Sequence, residues 1–207
     1  MTRRTYMWLA ATTMLTLYTP AASGQSRVGP WGFVNAQYST RSSAYVYAGY
    51  GWRALFAMAG AVNNPRTGYS EFVGGAGVVF KTGANAEHWV AFATAGSGSR
   101  SFGQVYWLPK VSTGAVTSRA TVKWKIPYDG SDPQKLSISP LSMTTPLGRR
   151  LAGGVAMELA AAQGTRTNFG AGPELRLRLS GATFGLNVLR DLRTNASSVR
   201  LSVASML

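Results

Sequence analysis

The chain has 207 residues, and its 21 Lys and Arg against seven Asp and Glu give a formal net charge of +14. Cysteine is absent, so the protein cannot be a small scaffold held together by disulfides. A basic balance often indicates nucleic-acid binding, but these basic residues are scattered singly and follow an export signal. No nucleic-acid partner is therefore predicted.

The first 24 residues have the layout of a secretory signal peptide. Arg3 and Arg4 precede an apolar stretch over 7–18, and small residues follow over 21–24. This stretch is shorter than the roughly 20 apolar residues that a spanning helix needs, which favours a cleaved signal over an uncleaved anchor. We predict a signal peptide at 1–24 and a single domain at 25–207.

The remaining chain has apolar residues at every second position, not the spacing of three and four that indicates a helix. No apolar run reaches spanning length, which excludes a helical membrane protein. The weakest turn is at 49–52, where alternation continues unbroken, so ten or eight strands are the alternatives. Turn signals divide the chain into twelve segments, at 31–40, 44–50, 53–62, 68–81, 87–95, 101–111, 115–128, 134–145, 149–162, 168–180, 182–192 and 197–206.

One face of these segments is apolar, and the other is small or polar. In the segment 149–162, for example, Leu151, Val155 and Leu159 alternate with Ala152, Ala156 and other small residues. A soluble sandwich would bury the apolar face in a shared core. A transmembrane barrel would present that face to lipid and enclose the polar face.

Three features favour the barrel. The second face is rich in Gly and Ala, which suits a narrow lumen. Only 14% of residues are charged, which is few for a soluble surface. Aromatic residues near segment ends are expected to form interfacial girdles, namely Tyr38, Tyr50, Trp52, Tyr69, Trp89, Tyr106, Trp107, Trp124 and Tyr128. We predict an all-β, antiparallel up-and-down transmembrane barrel of about twelve strands.

The complete pattern resembles the small outer-membrane β-barrels of Gram-negative bacteria. The resemblance rests on the signal peptide, the alternating segments, and a chain that stops within a last strand at 199–207. It implies a location in the outer membrane and insertion by the barrel-assembly machinery. In such barrels the long loops face the outside of the cell. Here the first, third and later odd-numbered turns between the twelve segments are mostly longer than the even-numbered ones.

Few residues in the sequence could form a catalytic site. His88 is the single histidine, and no nucleotide loop, metal-ligand motif or nucleophile motif is present. We predict no metal, no cofactor and no enzyme. Two alternatives stay open: a membrane-embedded lipid-modifying enzyme using His88 beside Glu87, and a soluble secreted or periplasmic β-protein that binds a small or acidic ligand.

If the apolar faces point outward, a set of charged residues lines the lumen with a net positive charge. This predicts a narrow passive channel that favours small anionic solutes, or a structural barrel filled by salt bridges. The predicted lumen residues are Arg53, Glu71, Arg119, Lys123, Lys125, Glu158, Glu174, Arg176, Arg178, Asp191 and Arg200.

A second group of arginines lies in the longer turns. Placed outside the cell, these residues would meet phosphates of outer-membrane lipid and lipopolysaccharide through charge-assisted hydrogen bonds. The predicted headgroup contacts are Arg41, Arg66, Arg100, Arg166 and Arg193.

Overall fold

The computed structural model describes residues 29–41, 44–98, 100–128, 133–164 and 167–207, and the predicted signal peptide at 1–24 lies outside them. No helix in this part of the chain is long and apolar enough to cross a membrane. The described chain forms twelve strands: β1 (Pro30–Ser39), β2 (Ala44–Trp52), β3 (Leu55–Asn64), β4 (Tyr69–Lys81), β5 (Ala86–Ser97), β6 (Arg100–Thr113), β7 (Val116–Pro127), β8 (Lys135–Pro146), β9 (Leu151–Ala162), β10 (Asn168–Leu179), β11 (Ala182–Asp191) and β12 (Ser197–Met206).

The strands form one closed barrel in sequence order. Each strand pairs antiparallel with the next, and β12 pairs with β1 to close the sheet, with Arg200 opposite Ser39 and Met206 opposite Phe33. Closure leaves no edge strand with unpaired backbone groups. The predicted fold class, an up-and-down barrel of twelve strands, is confirmed.

The two rims of the barrel differ in the length of their connections. We call the rim where β1 begins and β12 ends the terminal rim, and the opposite one the loop rim. The connections at the terminal rim are 53–54, 82–85, 114–115, 147–150 and 180–181. The longest connections, 128–134, 163–167 and 192–196, all lie at the loop rim, as the turn lengths in the sequence predict.

The barrel is apolar outside and polar inside. On β4, Phe72 is 74% exposed on the outer face, whereas its neighbour Glu71 is 2% exposed on the inner face. On β12, Leu201 is 54% exposed and its neighbour Arg200 is 3% exposed. Such a continuous apolar surface is unfavourable in water and is matched by a bilayer, so the barrel is a transmembrane one.

The aromatic residues divide between the two faces. Tyr50 and Trp52 are exposed on the outer wall, as the predicted girdles require. Tyr69, Trp89 and Tyr106 instead lie on the inner wall, because they share the alternating face with Glu71, Ala91 and Gln104. For these three residues the girdle prediction is wrong.

The turn between β2 and β3 lies at Arg53 and Ala54, a few residues later than the sequence indicates. The alternation continues through Gly51 and Trp52 because both are still strand residues. Arg53 then adopts a positive φ of 53°, which few side chains favour, so nothing in the sequence marks the turn there. The predicted lumen position of Arg53 is therefore wrong, since this residue is exposed in a turn at the terminal rim.

Glycines on the inner wall provide space for aromatic rings from the preceding strand. A Cβ at Gly49 would lie 2.5 Å from Cζ of Phe33 and 2.7 Å from the carbonyl oxygen of Ala57. A Cβ at Gly77 would lie 2.6 Å from Cζ of Phe56. The glycines thus let the rings of β1 and β3 pack closely over the neighbouring strand.

We expect Gly49→Ala to destabilise the barrel, since overpacking costs about 1–3 kcal/mol. The matched control is Gly74→Ala on the outer wall, where an added Cβ meets no atom within 4 Å. The measurement is the temperature at which the unboiled, fast-migrating gel band converts to the unfolded one. Equal conversion temperatures for the two variants would contradict the proposed packing.

Candidate functional site

Apart from Arg53, the predicted lumen residues occupy inward-facing positions. Arg119 pairs with the fully buried Ser142, and Lys123 pairs with the buried Tyr106. Asp191 ends β11 at the loop rim, where its carboxylate accepts hydrogen bonds from the backbone N–H groups of residues 193 and 194. The remaining inward-facing members of the predicted set are Glu71, Lys125, Glu158, Glu174, Arg176, Arg178 and Arg200.

Three carboxylates inside the barrel each form an ion pair with a nearby cation. Glu174 accepts a hydrogen bond from Nε of Arg176 at 2.6 Å. The other two pairs join Glu71 to Lys125 and Glu158 to Arg200. A buried charge without a partner is costly, so these pairs are what the enclosed carboxylates require.

Glu71 is the centre of a network that extends from β4 to β7. Its carboxylate accepts hydrogen bonds from Tyr69, Gln104 and Lys125, and Tyr106 donates to Gln104. Lys125 Nζ also lies 3.7 Å from the centroid of the Phe102 ring. The intervening positions on β5 are alanines, Ala93 and Ala95, which let these long side chains reach along the wall.

A second network joins β12 to β8 and β9. Arg200 pairs with Glu158 and donates to the hydroxyl of Ser139, which also donates to Glu158 at 3.5 Å. The register of β8 shifts between Ile138 and Leu141, and this irregularity lies at Ser139. The irregular segment therefore contributes a hydroxyl to the polar interior.

The inner face of β6, β7 and β8 forms a basic wall. These three strands contain no Asp or Glu. Among the described residues, only Lys125 of this set forms an ion pair. The cations of the basic wall are Lys110, Arg119, Lys123, Lys125 and Lys135. Sequence reasoning missed Lys110 and Lys135, which lie near strand ends.

The inner face of β1, β3 and β5 carries an aromatic cluster of Trp31, Phe33, Phe56 and Trp89. The Phe33 and Trp89 rings are 5.3 Å apart in an edge-to-face arrangement, and the Trp31 and Trp89 rings are 5.2 Å apart. Trp31 and Phe56 are buried, whereas Phe33 and Trp89 are partly exposed. The lumen thus has one aromatic side and one basic side.

Both rims carry further cations. At the loop rim, Arg41, Arg66, Arg100 and Arg193 lie in or beside the connections, while Arg166 lies outside the described residues. The terminal rim carries Arg53, Lys81, Arg149, Arg150 and Arg178. An anion that approaches either opening therefore meets positive charge.

His88 lies on the outer wall of β5, near the terminal rim. Its ring stacks between Phe80 and Trp107, with centroid distances of 5.1 and 6.2 Å. Its Nε2 atom is 2.8 Å from the hydroxyl of Thr82. This position is typical of an interfacial side chain and does not face the lumen.

A closed antiparallel barrel with an apolar exterior and a charged, enclosed interior defines the class of outer-membrane β-barrel proteins. Within this class, twelve strands are enough to leave lumen space that eight-stranded barrels fill with side chains. The charged interior is therefore the candidate functional site.

Comparison with solved structures agrees with this class. The chain is similar to the KdgM porin in complex with disordered oligogalacturonate, with a TM-score of 0.59, 10% identity, and coverage of 84% of this chain and 98% of the porin. For the NanC porin these values are 0.54, 11%, 84% and 98%. For an outer-membrane channel from Pseudomonas putida F1 they are 0.58, 10%, 92% and 100%. No family model and no curated protein matches the chain.

Proposed function

We propose that the protein is a passive outer-membrane channel whose lumen favours small anions. The basic wall carries this proposal, because Arg119 and Lys123 form no ion pair among the described residues. Unpaired cations inside a narrow pore attract anions and repel cations. The KdgM porin binds oligogalacturonate, whose units carry carboxylates, and this is consistent with an acidic solute.

A structural barrel without transport is the second candidate. It is favoured by the complete burial of some inward side chains, such as Leu189 and Ser142. Against it, Arg176 and Glu158 keep 20% and 29% of their side-chain surface exposed, which indicates open space in the lumen. Conductance distinguishes the two candidates.

Purified protein in a planar bilayer should conduct ions. Under a KCl gradient, the reversal potential should lie nearer the equilibrium potential of chloride than that of potassium. The expected cause is the net positive lining. Heat-dependent gel mobility first verifies that the sample is folded. Folded protein that gives no conductance would support the structural barrel. A reversal potential nearer the equilibrium potential of potassium would overturn the anion preference.

We also propose that the loop rim of the barrel contacts lipopolysaccharide. With the terminal rim in the periplasm, the arginines of the loop rim reach the level of lipopolysaccharide phosphates, where guanidinium groups form charge-assisted hydrogen bonds. Arg190 adds an outward-facing cation at this level, and its Nε donates to Asn195 at 2.7 Å. We also propose that the barrel-assembly machinery inserts the protein through β12.

A further inference from the structure

The terminal half of the lumen combines two surfaces of different chemistry. Trp31 and Phe33 lie near the start of β1, and Phe56 and Trp89 lie near the starts of β3 and β5. Arg119 lies near the start of β7, and Arg176 lies near the end of β10. Odd-numbered strands begin at the terminal rim and even-numbered strands end there, so all six residues share this half.

The aromatic cluster and the arginines lie on opposite sides of the barrel. In a closed barrel of twelve strands, strands six apart face each other, so β1 faces β7 and β4 faces β10. The Phe33 ring lies over Gly49 and also meets the Trp89 ring of β5 at 5.3 Å, so the cluster extends from its wall into the lumen. The strands that carry the arginines therefore face the aromatic cluster across the lumen.

The wall between the two arginines is lined by small residues. On β8 and β9, which separate Arg119 from Arg176, the inward positions include Ser142, Gly154 and Ala156. Nη2 of Arg176 donates to the Ser142 hydroxyl at 3.0 Å, which directs its guanidinium along this recess. Ser142 and Ala156 have no exposed surface, so this guanidinium covers the recess, while Arg119 and Arg176 both keep part of their surface open to the lumen.

We propose that this half of the lumen is a binding subsite for small monocarboxylates that carry an aromatic ring. The carboxylate binds on the lumen side of Arg119 and Arg176, which keep one net positive charge after the pairing of Arg176 with Glu174. Guanidinium groups match carboxylates in geometry and charge. The ring packs against Phe33 and Trp89, the partly exposed members of the aromatic cluster, in the offset or edge-to-face arrangements that aromatic pairs prefer. This inference rests on the proposed channel function.

The test is block of chloride current in planar bilayers by benzoate, acetate and benzyl alcohol. Benzoate has both the ring and the carboxylate, acetate lacks the ring, and benzyl alcohol lacks the charge. We expect benzoate to block at a concentration about tenfold below that of acetate, and benzyl alcohol to block at neither concentration.

Three variants locate the subsite. Arg119→Gln should abolish the benzoate block. Trp89→Leu should raise the blocking concentration of benzoate close to that of acetate. Phe33→Leu serves if Trp89→Leu does not fold, as gel mobility reports. Arg190→Gln on the outer wall is the control and should leave the benzoate block unchanged.

The outcomes separate this inference from the channel function. A chloride-selective channel that benzoate and acetate block equally would overturn the subsite alone. Equal block by benzyl alcohol and benzoate would overturn the role of the arginines. Folded protein without conductance, or with cation selectivity, would overturn the channel proposal itself.

Discussion

Replacing Arg119 and Lys123 together with glutamate should reverse the selectivity of the channel from anions to cations. Both residues belong to the basic wall, and neither forms an ion pair among the described residues. Two unit charges 4 Å apart interact with about 1 kcal/mol even in water, and 1.4 kcal/mol corresponds to a factor of ten. We expect the permeability ratio of chloride to potassium to fall by roughly tenfold or more.

The ionic strength decides how clearly this reversal is seen. The screening length is about 10 Å at 0.1 M salt and about 3 Å at 1 M, so the measurement belongs at the lower concentration. The shift in reversal potential should shrink as salt is raised. This salt dependence identifies an electrostatic origin and would not accompany a change in pore shape.

Two controls complete this experiment. Arg190→Glu makes the same charge change on the outer wall, where the barrel separates it from the lumen, so the reversal potential should move little. Arg119→Lys keeps the charge and should retain the anion preference. If the folded double variant remains as anion-selective as the unmodified protein, the basic wall does not determine selectivity.

The faces of most strands could be predicted because the two environments impose a strict alternation. On β10, Leu175 and Leu177 face lipid while Glu174 and Arg176 face the interior, and the sequence shows this directly. The prediction needs only the period of two along a strand. It fails at Arg53, where a turn without glycine or proline interrupts a pattern that otherwise continues.

The aromatic cluster could not be predicted from β1 alone. Trp31 and Phe33 alternate with Val34 and Ala36, so both faces of β1 are apolar and the period does not distinguish them. The inner position becomes possible because β2 places Gly49 beside the Phe33 ring. This information lies on a neighbouring strand, and it becomes useful only once the register is known.

Only part of the basic wall can be predicted from the sequence, for a related reason. Lys123 and Lys125 alternate with Val122 and Trp124, which marks them as inward-facing. Lys135 is the first residue of β8 and has no alternating neighbours before it. Ion pairs between distant strands, such as Glu158 with Arg200, follow from barrel closure and leave no local signal.

Replacing Glu71 with leucine should destabilise the barrel by about 3 kcal/mol, in the range found when one partner of a buried ion pair is removed. Glu71 is 2% exposed and accepts hydrogen bonds from Tyr69, Gln104 and Lys125. Its loss leaves the Lys125 ammonium without its carboxylate on a largely enclosed wall. The measurement is the free energy of unfolding from urea titration of the protein in detergent micelles.

A double-mutant cycle separates the ion pair from simple packing. Lys125→Met removes the cation, and the variant carrying both Glu71→Leu and Lys125→Met removes both charges together. We expect the double variant to be more stable than Glu71→Leu alone, because no unpaired charge remains. Glu87→Leu is the matched control and should lose less stability than Glu71→Leu. Glu87 lies at the terminal rim, and this variant removes a hydrogen bond from Trp89. If the two glutamate variants lose equal stability and the cycle gives additive values, the Glu71 network does not stabilise the wall between β4 and β7.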